Sequence, residues 1–187
     1  MVKVVGIAGS LRDGSYSLLA LQVAAARVAA LGVPVEIIDL RSLHLPFCDG
    51  SAEYPDYPDV STLRQTVAEA DAVILATPEY HGSVSGVLKN ALDLMTFDHL
   101  SGKVTGLISV LGGQSNSNAL NDLRTITRWV HAWTIPEQIA IGQAWNAFDA
   151  EGQLQDENLS KRFDAFATSL VTTAQKLRGA AVEAHAA

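Results

Sequence analysis

The sequence predicts an α/β fold in which a five-stranded parallel sheet lies between two layers of helices. Short β-branched apolar runs alternate with longer stretches whose apolar residues recur at helical spacing. The resulting order, βαβαβαβαβα, is that of an open parallel sheet covered on both faces. Polar, glycine-bearing loops follow the first, third and fourth strands, at the carboxyl edge where such sheets bind ligands. With 187 residues, 48% of them hydrophobic, the chain is long enough for one domain with a sizeable core. Residues 1–178 are read as that domain and 179–187 as a frayed tail.

Each element has a local reason. "VKVVGIAG" is a β-branched apolar run and reads as the first strand. Leu18, Leu21, Ala25 and Val28 then share a helical face, and Gly32 and Pro34 stop that helix. "VEIID", from Val35 to Asp39, is the second strand. Prolines at 46, 55 and 58 exclude a long regular element between it and a short helix over 61–70, so this stretch reads as an extended loop. "DAVILA" is the third strand, ended by Pro78, which restricts Thr77 to extended geometry. Leu88, Ala91, Leu92 and Met95 mark the third helix, and "KVTGLISVL" the fourth strand. Leu120, Leu123, Ile126 and Val130 make the fourth helix. A short fifth strand lies within 135–141, and Leu159, Phe163, Phe166, Leu170, Ala174 and Leu177 stripe the last helix. Right-handed crossovers are close to obligatory here, and five strands suit the order 2-1-3-4-5.

Composition excludes several functions. The formal net charge is −7, with only 13 Lys and Arg and no basic run, so nucleic acid is not an expected partner. Apolar stretches are too short to cross a bilayer, and "MVKVVGIAG" lacks a signal-peptide cleavage pattern. The expectation is a cytoplasmic protein without a membrane partner. Cys48 is the single cysteine, which rules out an intrachain disulfide; a lone cysteine is more often inert packing than a reactive group. The histidines at 44, 81, 99, 131 and 185 show no metal-ligand spacing, so no metal is expected. Trp129, His131 and Trp133 read as packing or oligomer contacts.

The loop "IAGSLRDGSYS" brings hydroxyls at Ser10, Ser15 and Ser17 and a cation at Arg12 to the start of the first helix. Free backbone N–H groups and the helix dipole favour an anion there, and a guanidinium can fork onto phosphate oxygens. Tyr16 lies within the same stretch. Two better-known phosphate motifs fail. Gly9 and Gly14 have the Walker A spacing, but Ser15 stands where the lysine belongs. Gly6 and Gly9 are three apart, whereas the dinucleotide fingerprint needs two. Asp39 fits a strand-end carboxylate that caps the following turn better than a ribose ligand.

The later loops suit a flat heterocycle. In "TPEYHGSVSGVLKNALD", Pro78, Glu79, Tyr80 and His81 reach the sheet edge, Gly82 lets backbone approach a ligand, and Ser83 and Ser85 are candidate helix caps. Gly112 and Gly113 offer bare backbone to a planar ring. Each of these residues taken singly also fits an ordinary turn, cap or helix surface. Their concurrence at one edge is what suggests a mononucleotide.

With "GSLRDGSYS", "IDLRSLHLPFCD", "PEYHGSVSGVLKNALD" and the "GG" after the fourth strand, the chain resembles the NADPH-dependent FMN reductases. This flavodoxin-like group, a three-layer α/β/α sandwich, also includes quinone, azo-dye and chromate reductases. The resemblance implies that Ser10, Arg12, Ser15 and Ser17 hold the FMN phosphate. It places the isoalloxazine on Pro78, Glu79, Tyr80, Gly82 and Ser83, with Gly112 and Gly113 near the ring or ribityl chain. Where the family commonly has asparagine, this chain has Ser17 in the first loop and His81 in the second. The implied activity is hydride transfer from NADPH or NADH to FMN and on to a small-molecule acceptor: a free flavin, quinone, azo compound or metal oxyanion. No catalytic side chain is assigned, and a homodimer or homotetramer is implied. Rival readings are an FMN electron carrier without reductase activity and a nucleotide-binding dehydrogenase. The loop over 45–60 is expected to line the flavin pocket or a subunit contact.

Overall fold

The computed structural model describes residues 1–114 and 117–186; Ser115 and Asn116 of the "GGQSNSN" loop and Ala187 of the expected tail lie outside the described residues. In chain order the elements are β1 (Val4–Ala8), α1 (Tyr16–Ala30), β2 (Val35–Asp39), a 3-10 turn (Leu40–Ser42), α2 (Pro58–Ala68), β3 (Ala72–Tyr80), β4 (Ser83–Val84), α3 (Gly86–Asp93), α4 (Phe97–Leu100), β5 (Val104–Val110), α5 (Asn118–Trp129), β6 (Trp133–Ile141), a second 3-10 turn (Ala144–Asn146) and α6 (Glu157–Ala186). Five long strands pair in parallel in the order β2-β1-β3-β5-β6, the expected 2-1-3-4-5 order. The strand count is a correction: the sheet has six strands, because the short β4 pairs antiparallel with the end of β3.

Side chains alternate between the two faces of the sheet and both faces are covered. Ala72, Ile74 and Ala76 of β3 face α1 and α6, where Leu21, Phe163 and Phe166 are fully buried. Val73 and Leu75 face the other way, against Leu63 of α2, Leu88 of α3 and Leu123 of α5. The buried stripe of α1 runs through Ser17, Leu21, Ala24 and Val28, slightly rotated from the expected one. Among the described residues, no helix is long and apolar enough to cross a membrane.

Four boundaries differ from expectation, each for a physical reason. Pro58 occupies the first turn of α2, where a missing N–H costs nothing, so the helix starts three residues before Ser61. Pro78 does not end β3. Ala76, of the same parity, accepts from Gly9 N at 2.8 Å, so the N–H that proline lacks would point beyond the end of β1, where no strand is waiting. Residues 77 and 78 still register with Ser109 and Val110 of β5. β6 begins at Trp133, before the expected 135, and its register to β5 shifts between Thr105 and Leu107, across the stretch containing Pro136. Finally, α6 continues to Ala186 where a frayed tail from 179 was expected; the alanine-rich composition there favours helix.

Candidate active site at the carboxyl edge of the sheet

Three loops meet beyond the carboxyl ends of β1, β3 and β5. The first leaves β1 at Gly9, whose carbonyl accepts from Ser85 Oγ, the hydroxyl that also caps α3 by accepting from Leu88 N. A methyl group on Gly9 would sit 2.7 Å from Leu88 Cβ, so only glycine lets this loop lie against the start of α3. Gly14, at φ +64°, turns the chain into α1. Ser15 caps that helix, its Oγ accepting from Leu18 N at 3.2 Å and lying 2.9 Å from Ser17 Oγ. The backbone N–H groups of Tyr16 and Ser17 have no acceptor among the described residues. The Arg12 guanidinium is exposed, and among the described residues no carboxylate or carbonyl pairs with it. The loop therefore presents a free cation, two free amides and a group of hydroxyls, the donor set of an anion site.

Arg41, which sequence reasoning did not single out, holds this loop from behind. Its guanidinium grips Asp39 through Nε and Nη2, and its Nη1 donates to the Arg12 carbonyl and to Asp13, each at 3.4 Å. Asp39 also accepts from Arg41 N, capping the turn after β2 as the sequence suggested. These hydrogen bonds hold the Asp39 carboxyl below its ordinary value of 3.8.

The second loop is a tight hairpin. Tyr80 pairs with Ser83, and the two residues between them, His81 (φ 51°) and Gly82 (φ 77°), both have positive φ, as a type I′ hairpin loop requires. Two side chains tie the hairpin to α5. Glu79, only 7% exposed, accepts from Ala119 N at 3.0 Å, and Ser83 Oγ donates to Asp122 at 2.7 Å. Ser85 thus caps α3, and Ser83 does not. Thr77 Oγ1 accepts from Ser85 N, closing the turn from inside.

The third loop pairs with the segment after β6: Leu111 N donates to Ile141 O, Gln143 N to Gly113 O and Ala144 N to Leu111 O. This brings Trp145, 54% exposed, over Gly112.

A cleft of about 340 Å³ results, lined by Ser10, Arg12, Ser15, Tyr16, Ser17, Pro78, Glu79, Tyr80 and Gly112 of the expected site residues. Gly14, Val110, Leu111, Ala144 and Trp145 complete it. The Tyr16 ring stacks on Phe148 at 6.0 Å, and Tyr80 is 46% exposed at the rim. His81, Gly82 and Ser83 form the hairpin tip beside the cleft, and Gly113 lies one residue past its lining. A second cleft, of about 650 Å³, adjoins the first through Ser10, Arg12 and Tyr80 and is walled by leucines. Trp129 and Trp133, expected in packing or oligomer contacts, are exposed. Among the described residues no group of three or more His, Cys, Asp or Glu side chains is arranged to hold a metal.

The family model described as NADPH-dependent FMN reductase matches residues 2–146, a span that contains every loop just described. The chain belongs to the NADPH-dependent FMN reductase family. Within the family's wider kin, it is 36% identical over 185 residues to the NAD(P)H-dependent FMN reductase PA1204 of Pseudomonas aeruginosa, covering 95% of this chain and 98% of that protein. It is 31% identical to the NADPH-dependent FMN reductase ArsH of Shigella flexneri, over 82% of this chain but only 61% of ArsH. Among solved structures, the flavoenzyme NAD(P)H:(acceptor) oxidoreductase FerB from Paracoccus denitrificans superposes with a TM-score of 0.75 at 25% identity, covering 92% of this chain and 98% of FerB.

The residues that sequence reasoning missed have weak local signals. Asp122 and Arg41 act through partners 39 and 28 positions away in the chain. Trp145 sits in a 3-10 turn too short to show any periodicity.

Proposed function

We propose that this chain is an NAD(P)H-dependent flavin reductase that holds FMN in the cleft between the three loops and passes reducing equivalents to a small-molecule acceptor. The observation that carries this reading is the donor set of the first loop. An unpaired guanidinium, unpaired amides of the first turn of α1 and the hydroxyls of Ser10, Ser15 and Ser17 converge on one cleft. That set fits a phosphate monoester, and the adjoining wall of Pro78, Tyr80, Gly112 and Trp145 suits a flat ring.

Bound FMN would supply the two-electron redox centre that nicotinamide reduces and the acceptor reoxidises. This chain's own residues do the rest. Arg12 and the first turn of α1 hold the phosphate end. Arg41 donates to Asp13 and to the Arg12 carbonyl and so holds the loop in place, which leaves the Arg12 guanidinium for the anion. Glu79 and Ser83 fix the hairpin to α5, so the Tyr80 backbone stands at one position relative to the sheet. No side-chain acid or base is assigned an essential role. The exposed Trp129 and Trp133 support a homo-oligomer, which sedimentation of the purified protein would test.

The test is turnover by the purified protein alone, supplied with FMN, NADPH or NADH and an acceptor. Catalytic, acceptor-dependent oxidation of the nicotinamide is expected. A protein that binds FMN yet consumes nicotinamide only when a separate reductase is added would be an electron carrier, and the reading would fall.

A further inference from the structure

The second cleft has an unusual outer wall. Phe47 lines it and is 91% exposed, a large aromatic ring held in water on a segment without regular secondary structure. The segment is nevertheless fixed. The Asn90 side chain, on α3, brackets Phe47 on both sides: its Nδ2 donates to Pro46 O and its Oδ1 accepts from Cys48 N, each at 2.9 Å. Cys48 Sγ donates to Asp93 O, and Arg64 spans from Leu94 O to Ala52 O, so the stretch after Phe47 is tied to the same region. Among the described residues these are the only side-chain hydrogen bonds of Asn90, and both go to the residues flanking the ring.

The cleft behind this wall is lined by Leu11, Leu40, Leu43, Leu45 and Val87, with Gly9, Ser85, Gly86 and Asn90 beside them, and it adjoins the first cleft across Ser10, Arg12 and Tyr80. Its lining is largely aliphatic, with two aromatic residues, Phe47 and Tyr80, and among the described residues Arg12, shared with the phosphate loop, is its only charged side chain. Such a pocket suits a flat, largely uncharged aromatic molecule, and Phe47 is placed to stack on it.

We propose that Asn90 is a positioning residue that presents Phe47 at the cleft, and that Phe47 sets the enzyme's preference for flat aromatic acceptors over small hydrophilic ones. The inference rests on the reductase reading given above. The overall reaction balances as NADPH, a proton and the quinone giving NADP⁺ and the hydroquinone: the hydride brings two electrons and one proton, and solvent brings the second proton.

The test compares a naphthoquinone with ferricyanide, a small hydrophilic anion, on the FMN-loaded enzyme. Phe47→Ala and Asn90→Leu should each lower the ratio of kcat/KM for the naphthoquinone to that for ferricyanide by roughly three- to tenfold, mainly through KM for the quinone. Phe47→Tyr, which keeps the ring, should restore the wild-type ratio. In the protein without flavin, Asn90→Leu should also speed alkylation of Cys48, because the bracket that holds the segment is gone; no other thiol in the chain confuses this readout. Phe47 is so exposed that its truncation leaves folding intact even if Asn90→Leu does not fold. An unchanged ratio in Phe47→Ala overturns the proposal. So does a change in native mass of that variant with the ratio unchanged, which would make the ring a subunit contact. Failure of the reductase reading looks different: wild-type protein that neither binds FMN nor oxidises nicotinamide with either acceptor.

Discussion

Replacing Gly9 by alanine perturbs the fold and the site together. The added methyl would meet Leu88 Cβ at 2.7 Å, Ser85 Oγ at 3.1 Å and Ala76 O at 3.2 Å. None of these is the loose end of a long side chain: the first is bonded directly to the α3 backbone and the last is strand backbone. The loop must therefore lift from α3 by several tenths of an ångström, which strains the bonds from Gly9 N to Ala76 O and from Ser85 Oγ to Gly9 O. Overpacking of a well-filled site costs about 1–3 kcal/mol, and the strained bonds put this case at the upper end. Alanine also restricts the unfolded chain, which returns about 0.4–1 kcal/mol. The net is a loss of about 2 kcal/mol. For a chain of this size that is roughly a 4–8 °C fall in Tm, readable by thermal unfolding followed by circular dichroism. FMN affinity should fall as well, because the phosphate loop starts at this residue. A Gly9→Ala protein as stable as the wild type would refute the close approach of loop and helix on which the site's shape depends.

Other consequences follow from single contacts. His81→Asn should stabilise the protein by up to about 1 kcal/mol in urea unfolding, because asparagine adopts positive φ more readily than histidine; a loss of stability would mean that the imidazole has a structural partner. Glu79→Ala strands the buried Ala119 N–H at the start of α5, whose own cap residue Ser117 makes no side-chain capping bond among the described residues, and should cost about 1–3 kcal/mol, with Glu79→Gln costing less. Asp39 titrates below its ordinary 3.8 in the folded protein because of the hydrogen bonds from Arg41, so its contribution is present at neutral pH and is lost as pH falls from about 4 through the lower folded value. The stability difference between wild type and Asp39→Asn should accordingly be constant above about pH 5 and shrink below about pH 4; a difference that persists unchanged into acid would show that the ion pair is not its source.

The sequence was most legible where function depends on neighbours in the chain. Ser10, Arg12, Ser15 and Ser17 lie within eight positions of one another, and their role as loop and cap could be read from one short string. The alternation of strand and helix was equally readable, since both faces of the sheet are buried and the helices are striped. What could not be read depends on the topology. Arg41 reaches Asp13 only because β2 pairs beside β1, and Trp145 reaches Gly112 only because the segment after β6 pairs with the loop after β5. The β3–β4 hairpin was missed because Pro78 looks like a strand terminator. It is tolerated because its lacking N–H falls on the side that β1 has already vacated. Asn90 gives no signal of its own in the sequence because its partners, Pro46 and Cys48, sit 44 and 42 residues earlier in a loop with no pattern of its own.

Whether the first loop grips the phosphate of a flavin is decided by a paired titration of the apoprotein with FMN and with riboflavin, which lacks the phosphate. FMN should bind far more tightly than riboflavin, and Arg12→Ala should weaken FMN by roughly tenfold or more, the value of a charge-assisted contact, while leaving riboflavin unaffected. Equal affinity for the two flavins, or an Arg12→Ala protein that binds FMN like the wild type, would contradict the phosphate grip.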